Sequence, residues 1–177
     1  VCWWSAGVTS AVAAALALTT IDADEKVVAY CASVENDEHP DNARFLADCE
    51  GWYEIGIERL YAADYSSVED VWEKRQYVAG IAGAPCTTFL KKKVRNAFQR
   101  RDDVHVFGFD AGEPHRADRF IENNPDIDVR FPLIERGLTH ADCSAILAEQ
   151  KIELPAMYAL GYRNNNCIGC VKGGAGY

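Results

Sequence analysis

Short runs rich in β-branched and aromatic residues alternate with helical stretches along the whole of this chain, and that alternation admits few folds. The strand candidates are Val1–Trp4, Val27–Ala32, Ile55–Leu60, Val104–Phe109 and Val129–Phe131. Between and after them, Val8–Thr20, Asp41–Cys49, Val68–Ile81, Thr87–Arg100, Arg116–Asn123 and Ala141–Gln150 carry helical spacing and composition. Such a pattern predicts an α/β fold, a parallel sheet flanked by helices with right-handed crossovers. No repeat, low-complexity tract or linker interrupts the 177 residues, so a single domain over 1–177 is expected. Pro155 and the Asn164–Asn166 run mark the point where the alternation gives way to a loop-rich tail, with a C-terminal cysteine loop at 161–177.

A net charge of −9 argues against a surface that coats nucleic acid broadly, since phosphate affinity comes chiefly from Lys and Arg displacing counterions. Locally, Lys91, Lys92, Lys93, Arg95, Arg100 and Arg101 crowd one stretch, which reads either as the solvated face of a helix or as a polyanion-holding patch. The first 21 residues carry no charge, yet they do not read as a signal peptide or membrane span. No basic residue precedes them, Asp22, Asp24 and Glu25 follow, and Ser5, Gly7, Thr9 and Ser10 break the apolar run. No membrane partner is therefore expected. The chain opens without Met and closes in glycines, so truncation at both ends is an open reading. Seven cysteines are too few for a disulfide scaffold in a chain this long and leave at least one unpaired, which predicts a reducing, cytoplasmic setting. Cys2, Cys31 and Cys49 read as small core residues.

The segment Val1-Cys2-Trp3-Trp4-Ser5-Ala6-Gly7-Val8-Thr9-Ser10 runs from an apolar strand into small and hydroxylated residues, then into an Ala-rich helix. Helix starts have backbone N–H groups without partners at a positive dipole end, so a small-residue turn there can lay amides against phosphate oxygens. Gly7 admits close approach, and Ser5, Thr9 and Ser10 supply hydroxyls. A plain Ser/Thr helix cap would look the same at this point. No Gly-Lys-Ser/Thr follows, which excludes a Walker loop.

Ser5-Ala6-Gly7-Val8-Thr9-Ser10 resembles the Ser-Gly-Gly-x-Asp-Ser signature of the PP-loop superfamily, which includes ATP pyrophosphatases and phosphoadenosine phosphosulfate (PAPS) reductases. Ala6 departs from the Gly and Thr9 from the Asp. That carboxylate would help organise Mg²⁺ and leaving pyrophosphate in ATP-cleaving members, while PAPS reductases often carry Thr there. Three further segments resemble the PAPS reductase family in order: Pro85-Cys86-Thr87-Thr88-Phe89-Leu90-Lys91, Gly108-Phe109-Asp110-Ala111-Gly112-Glu113-Pro114-His115-Arg116, and Leu160-Gly161-Tyr162-Arg163-Asn164-Asn165-Asn166-Cys167-Ile168-Gly169-Cys170. The resemblance implies an adenine nucleotide alpha hydrolase-like, Rossmann-like fold and an adenine nucleotide held by Ser5, Ala6, Gly7, Val8, Thr9 and Ser10. Arg116 and Arg163 are anion-binding candidates beside it. For Arg116 the alternative is an ion pair with Glu113 across one helical turn, worth roughly 0.2–0.5 kcal/mol if exposed.

Cys167 and Cys170 form a Cys-x-x-Cys pair, a spacing that lets two thiolates face one metal or act as a redox dithiol. The glycines that follow weaken the redox reading, because such a pair normally heads a helix. In the family that these segments resemble, a cysteine at the position of Cys86 joins the pair around a [4Fe–4S] cluster. Tandem cysteines are common there; only Cys86 is present here, so Cys143 becomes the candidate fourth ligand, with a buried helix cysteine as its alternative. Four thiolates suit zinc or iron–sulfur equally by geometry, and iron–sulfur is chosen by resemblance.

The Glu-Cys-Gly-x-His type tail that carries the nucleophilic cysteine of PAPS reductases is missing. Three expectations follow. The first is a PAPS reductase-family enzyme of sulfur metabolism served by a thiol or electron-donor protein. The second is an ATP-dependent sulfurtransferase acting on a nucleic acid held by Lys91–Lys93 and Arg100–Arg101. The third is a non-catalytic nucleotide-binding module.

Overall fold

The computed structural model describes residues 1–81 and 83–173. Each of the five strand candidates forms a strand: β1 (Cys2–Trp4), β2 (Val28–Cys31), β3 (Ile57–Leu60), β4 (Val104–Phe107) and β5 (Asp128–Arg130). All pair in parallel in the order β3-β2-β1-β4-β5, so the chain winds outward from β1 to β3, then returns to place β4 on the other side of β1. Helices cover both faces, making this an α/β, Rossmann-like fold. Because the strands are parallel, their C-terminal ends gather on one edge, and the winding reverses there between β1 and β4. Open α/β sheets bind ligands in the crevice at such a point.

Helix α1 (Val8–Thr20) begins four residues after β1 and is buried along Val8, Ser10, Ala11, Val12, Ala13, Ala14 and Ala17. Its alanines let it lie close to β1 and β4 and to α7 (His140–Glu149). Trp4 points into this layer, edge-on to Tyr30 and stacked on Phe45 of α2 (Asn42–Tyr53), with ring centroids 5.1 Å and 5.9 Å away. Trp3, one residue earlier, faces the opposite layer, as strand alternation requires, and its indole N–H donates to His105 Nδ1 at 3.1 Å. A second, smaller core cluster lies under α3 (Val68–Arg75): Val34, Val68, Val71 and Leu90, flanked by Tyr65, Trp72, Cys86, Phe89 and Cys167.

Two differences from expectation have local causes. The helix predicted over Val68–Ile81 ends at Arg75, because Gln76 takes the left-handed conformation at φ 50°, a helix stop that hydrophobic spacing does not reveal. The Thr87–Arg100 helix forms as a π-turned segment, Thr87–Lys92, that passes directly into α4 (Lys93–Phe98). The others, including α5 (Pro114–Glu122) and α7, lie within a few residues of their predicted bounds, α7 with a capping box between Thr139 and Asp142. Short elements that periodicity did not reveal are the 3-10 turn Ala32–Asp37, α6 (Pro132–Glu135) and α8 (Ala156–Ala159). Residues 174–177 of the expected cysteine loop lie outside the described residues. Among the described residues no helix is long and apolar enough to cross a membrane.

Candidate functional site

The C-terminal ends of β1, β2 and β4 bring the candidate residues to one edge of the sheet. Ser5 leaves β1 exposed, Ala6 turns the chain at φ 57° while fully buried, and Gly7 enters α1 in extended conformation at φ −100° and ψ 153°. Gly7 is the N-cap residue, and no side chain caps the helix there. The turn is built instead around Ser10. Its Oγ accepts from the Ser5 N–H at 3.1 Å and from Ser5 Oγ at 3.2 Å, and it donates to the Gly7 carbonyl at 2.8 Å. Ser10 is buried and its one hydroxyl hydrogen is spent on Gly7. It therefore braces the loop and is not a free donor to phosphate, whereas Ser5 and Thr9 remain at the surface.

Gly108, just past β4, packs its backbone on the start of α1: a Cβ there would lie 2.6 Å from Ser10 Cα and N. A Cβ on Gly7, by contrast, would meet nothing closer than 3.8 Å, and its neighbours would be Ser5 Oγ, Tyr158 Oη and Ser10 Oγ. The three atoms nearest position 7 are thus all side-chain hydroxyl oxygens. The left-handed Ala6 is strained for an L side chain, and this is the position where the resembled signature carries Gly. Ala6→Gly is expected to raise unfolding stability by about 0.5–1 kcal/mol, read from urea denaturation midpoints, because relief of the left-handed penalty outweighs the added chain entropy.

A buried polar chain runs from this loop toward the cysteines. Asn165 Nδ2 donates to the Ala6 carbonyl at 2.6 Å and to Asn42 Oδ1 at 2.7 Å; Asn42 Nδ2 donates to Glu38 Oε2 at 2.9 Å. The Tyr30 hydroxyl also donates to Glu38 Oε2, at 2.7 Å, and Lys91 Nζ stands 3.9 Å from Oε1. Burial pushes the Glu38 carboxyl up, against the opposing pull of Lys91, Tyr30 and Asn42. None of these partners is visible in sequence, where Asn164–Asn166 reads only as a loop marker.

The cysteines divide. Cys86, at the start of the π-turned segment, and Cys167 both flank the second core cluster, and Cys170 closes a turn on Cys167 through a 3.1 Å backbone bond. Burial pushes the Cys167 thiol up to about 12, with Lys91 pulling down and Glu38, Cys170 and Asp37 adding to the rise. Cys143 sits elsewhere: it is fully buried in α7 within the main core, its thiol also raised by burial to about 12. Its alternative reading, a buried helix cysteine, is the one the structure supports, because the face of α7 that carries it packs on α1 and not on the cluster beside Cys86 and Cys167. Among the described residues no group of three or more His, Cys, Asp and Glu side chains is gathered to hold a metal ion. Cys143 is expected to resist iodoacetamide at pH 8 in the native protein and to react only on unfolding, whereas half-exposed Cys170 reacts in the native state, as peptide mass mapping would show.

Arg116, in the first turn of α5, makes the ion pair with Glu113, and its guanidinium lies over the Phe109 ring at 4.4 Å from the centroid. Arg163 is exposed in the loop before Asn165. On the neighbouring surface Arg75 and Lys93 lie 4.0 Å and 4.6 Å from the Phe89 ring centroid, next to the cluster that Cys86 and Cys167 flank. A cleft lined by Val1, Leu18, Ile21, Lys26, Phe98 and Val104 opens at the strands' N-terminal edge and contains none of these residues.

Compared with known proteins, the chain matches no family model, no curated protein and no solved structure.

Proposed function

We propose that the chain is an enzyme of the PAPS reductase type, holding the phosphates of an adenine nucleotide against the Ser5–Ser10 turn for sulfur-related chemistry. The observation that carries the reading is the start of α1: a helix with no side-chain cap, opened by a glycine whose nearest neighbours are three side-chain hydroxyls, at the point where the sheet reverses its winding. The four ordered segments resembling that family support the nucleotide as the ligand. Arg116 and Arg163 remain candidates for its sulfate or outer phosphate. An iron–sulfur or zinc centre on Cys86, Cys167 and Cys170 rests on the resemblance alone, since these three thiols are not gathered as a ligand group in this structure. Cys143, buried in the main core, lies apart from them.

A second reading, an ATP-dependent sulfurtransferase acting on nucleic acid, is favoured by one observation: the Arg75 and Lys93 cations on Phe89 beside Cys86 and Cys167, on a chain that is otherwise strongly acidic. Release of sulfite from a phosphosulfate nucleotide identifies the first; release of pyrophosphate from ATP, dependent on added RNA, identifies the second. Protein that binds nucleotide and does neither is the non-catalytic module.

Gly7→Val tests the loop itself. Backbone φ at position 7 suits any L-residue and the nearest atoms leave room, so the variant is expected to fold at a cost of about 1 kcal/mol, the ordinary penalty of a poor N-cap. Its side chain would stand among these hydroxyls at the helix start, and ATP affinity measured by calorimetry is expected to fall at least about tenfold. Equal affinity in a folded Gly7→Val protein would rule out the phosphate-loop assignment.

A further inference from the structure

We propose that Asn165 is a positioning residue that holds the phosphate loop in its anion-receiving form from within the loop that carries Cys167, so that the two loops move as one unit. The proposal rests on the nucleotide reading above and adds to it a residue that neither the signature nor its spacing singles out.

In a trans peptide the carbonyl oxygen of one residue and the N–H of the next point in opposite directions. Asn165 Nδ2, 2.6 Å from the Ala6 oxygen, draws that carbonyl toward the buried side of the loop. The Gly7 N–H must then point the other way, out of the interior, and among the described residues it has no protein partner. A 180° turn of the same peptide would replace this donor with a carbonyl oxygen facing the phosphate. Ala6 makes the hold necessary: at φ 57° it sits where an alanine gains nothing from local preference, so the peptide needs a tertiary bond to stay.

Asn165 is itself held in one orientation. Glu38 Oε2 accepts, so the Asn42 amide must turn its nitrogen to Glu38 and its oxygen to Asn165. Asn165 must then offer its nitrogen to Asn42, and the same nitrogen reaches Ala6; exchanging its two amide atoms would set oxygen against oxygen at both contacts. Three residues on, the Ile168 N–H donates to the Asp37 carbonyl at 2.8 Å, which ties the Cys167–Cys170 turn to the segment that supplies Glu38. The phosphate loop, the segment after β2 and the cysteine turn are therefore one hydrogen-bonded body.

Asn165→Asp tests this at constant size, because it replaces the donor with a second oxygen aimed at Ala6 and Asn42. ATP and adenosine affinities are measured by calorimetry on parent and variant. Loop positioning acts on the phosphates, so ATP is expected to bind about tenfold to a hundredfold more weakly while adenosine changes by less than about twofold. Parallel loss of both ligands would show a merely structural role and overturn the proposal, as would unchanged ATP affinity in the variant. Parent protein that binds neither ligand would overturn the nucleotide reading and this assignment with it. Should the variant not fold, amide NMR of the ¹⁵N-labelled parent decides: the Gly7 resonance shifts and gains exchange protection on ATP addition, and a Gly7 amide indifferent to bound ATP overturns the proposal.

Discussion

Gly108→Ala should unfold this protein or cost it about 3 kcal/mol or more, although the change adds one methyl group. That methyl would lie 2.6 Å from Ser10 Cα and Ser10 N and 2.8 Å from the Thr9 carbonyl carbon. All three are backbone atoms of the first turn of α1, so no side-chain end can swing aside. Relief requires α1 to retreat from β4, and α1 is the helix packed on β1, β4, α2, α6 and α7 at once. Gly7→Ala is the control: one turn away, its added carbon has 3.8 Å of clearance and its cost should stay near 1 kcal/mol. Urea denaturation of the two variants separates them. A Gly108→Ala midpoint equal to that of the parent would mean that the helix does not rest on β4 as described.

Gly108 also shows where sequence reasoning stops. It opens a motif-like segment in the sequence, but the reason for a glycine there is the passage of α1 against it, a contact between residues far apart in the chain. What local chemistry writes plainly was legible: the five strands, because β-branched and aromatic runs are short and bounded, and α1 to its last residue, because an Ala-rich run follows a glycine and ends before polar sequence. The end of α3 was not, since Gln76 adopts the left-handed conformation without a glycine to announce it. Nor were α6 and α8, four residues each, too short for any helical period to register.

The site divides along the same line. Ser5 to Ser10 were legible as a loop because small residues between a strand and a helix are costly unless they permit approach to something. The separate duty of each was not legible: Ser10 reads like Ser5 and Thr9, and only the fold turns its hydroxyl inward onto Gly7. Cys143 is a candidate in the sequence because it lies near the start of the helix opened by Thr139 and just upstream of the final loop, while the face of α7 that carries it is decided by packing on α1. Asn42, Glu38 and Tyr30 carry no local mark at all, and they become a group because β2 and α2 meet at the edge where Asn165 arrives.

Glu38 should prove the most consequential of these. Removing its carboxyl in Glu38→Ala leaves the Tyr30 hydroxyl and the Asn42 amide without their acceptor in a buried site, and opens a small cavity besides. The expected cost is about 3 kcal/mol. Glu38→Gln keeps an acceptor oxygen for both donors and removes only the titration. The groups facing the carboxyl are Tyr30 from β2, Asn42 from α2, Lys91 from the π-turned segment, the Cys167 thiol from the C-terminal loop, and neighbouring Asp37. Burial outweighs Lys91 and the two hydrogen bonds, so the folded protein holds a proton on Glu38 more tightly than the unfolded chain does. With that sign, the stability contributed by the protonated group is complete below the ordinary carboxylate range and is lost as pH rises through the elevated value. The parent should therefore weaken from mildly acidic toward neutral pH relative to Glu38→Gln, whose profile should be flatter over that interval and higher at neutral pH. Urea unfolding of the three proteins across that range reads both effects. Parallel parent and Glu38→Gln curves would mean that Glu38 titrates as an ordinary surface carboxyl, and Glu38→Ala as stable as Glu38→Gln would mean that Tyr30 and Asn42 find other acceptors.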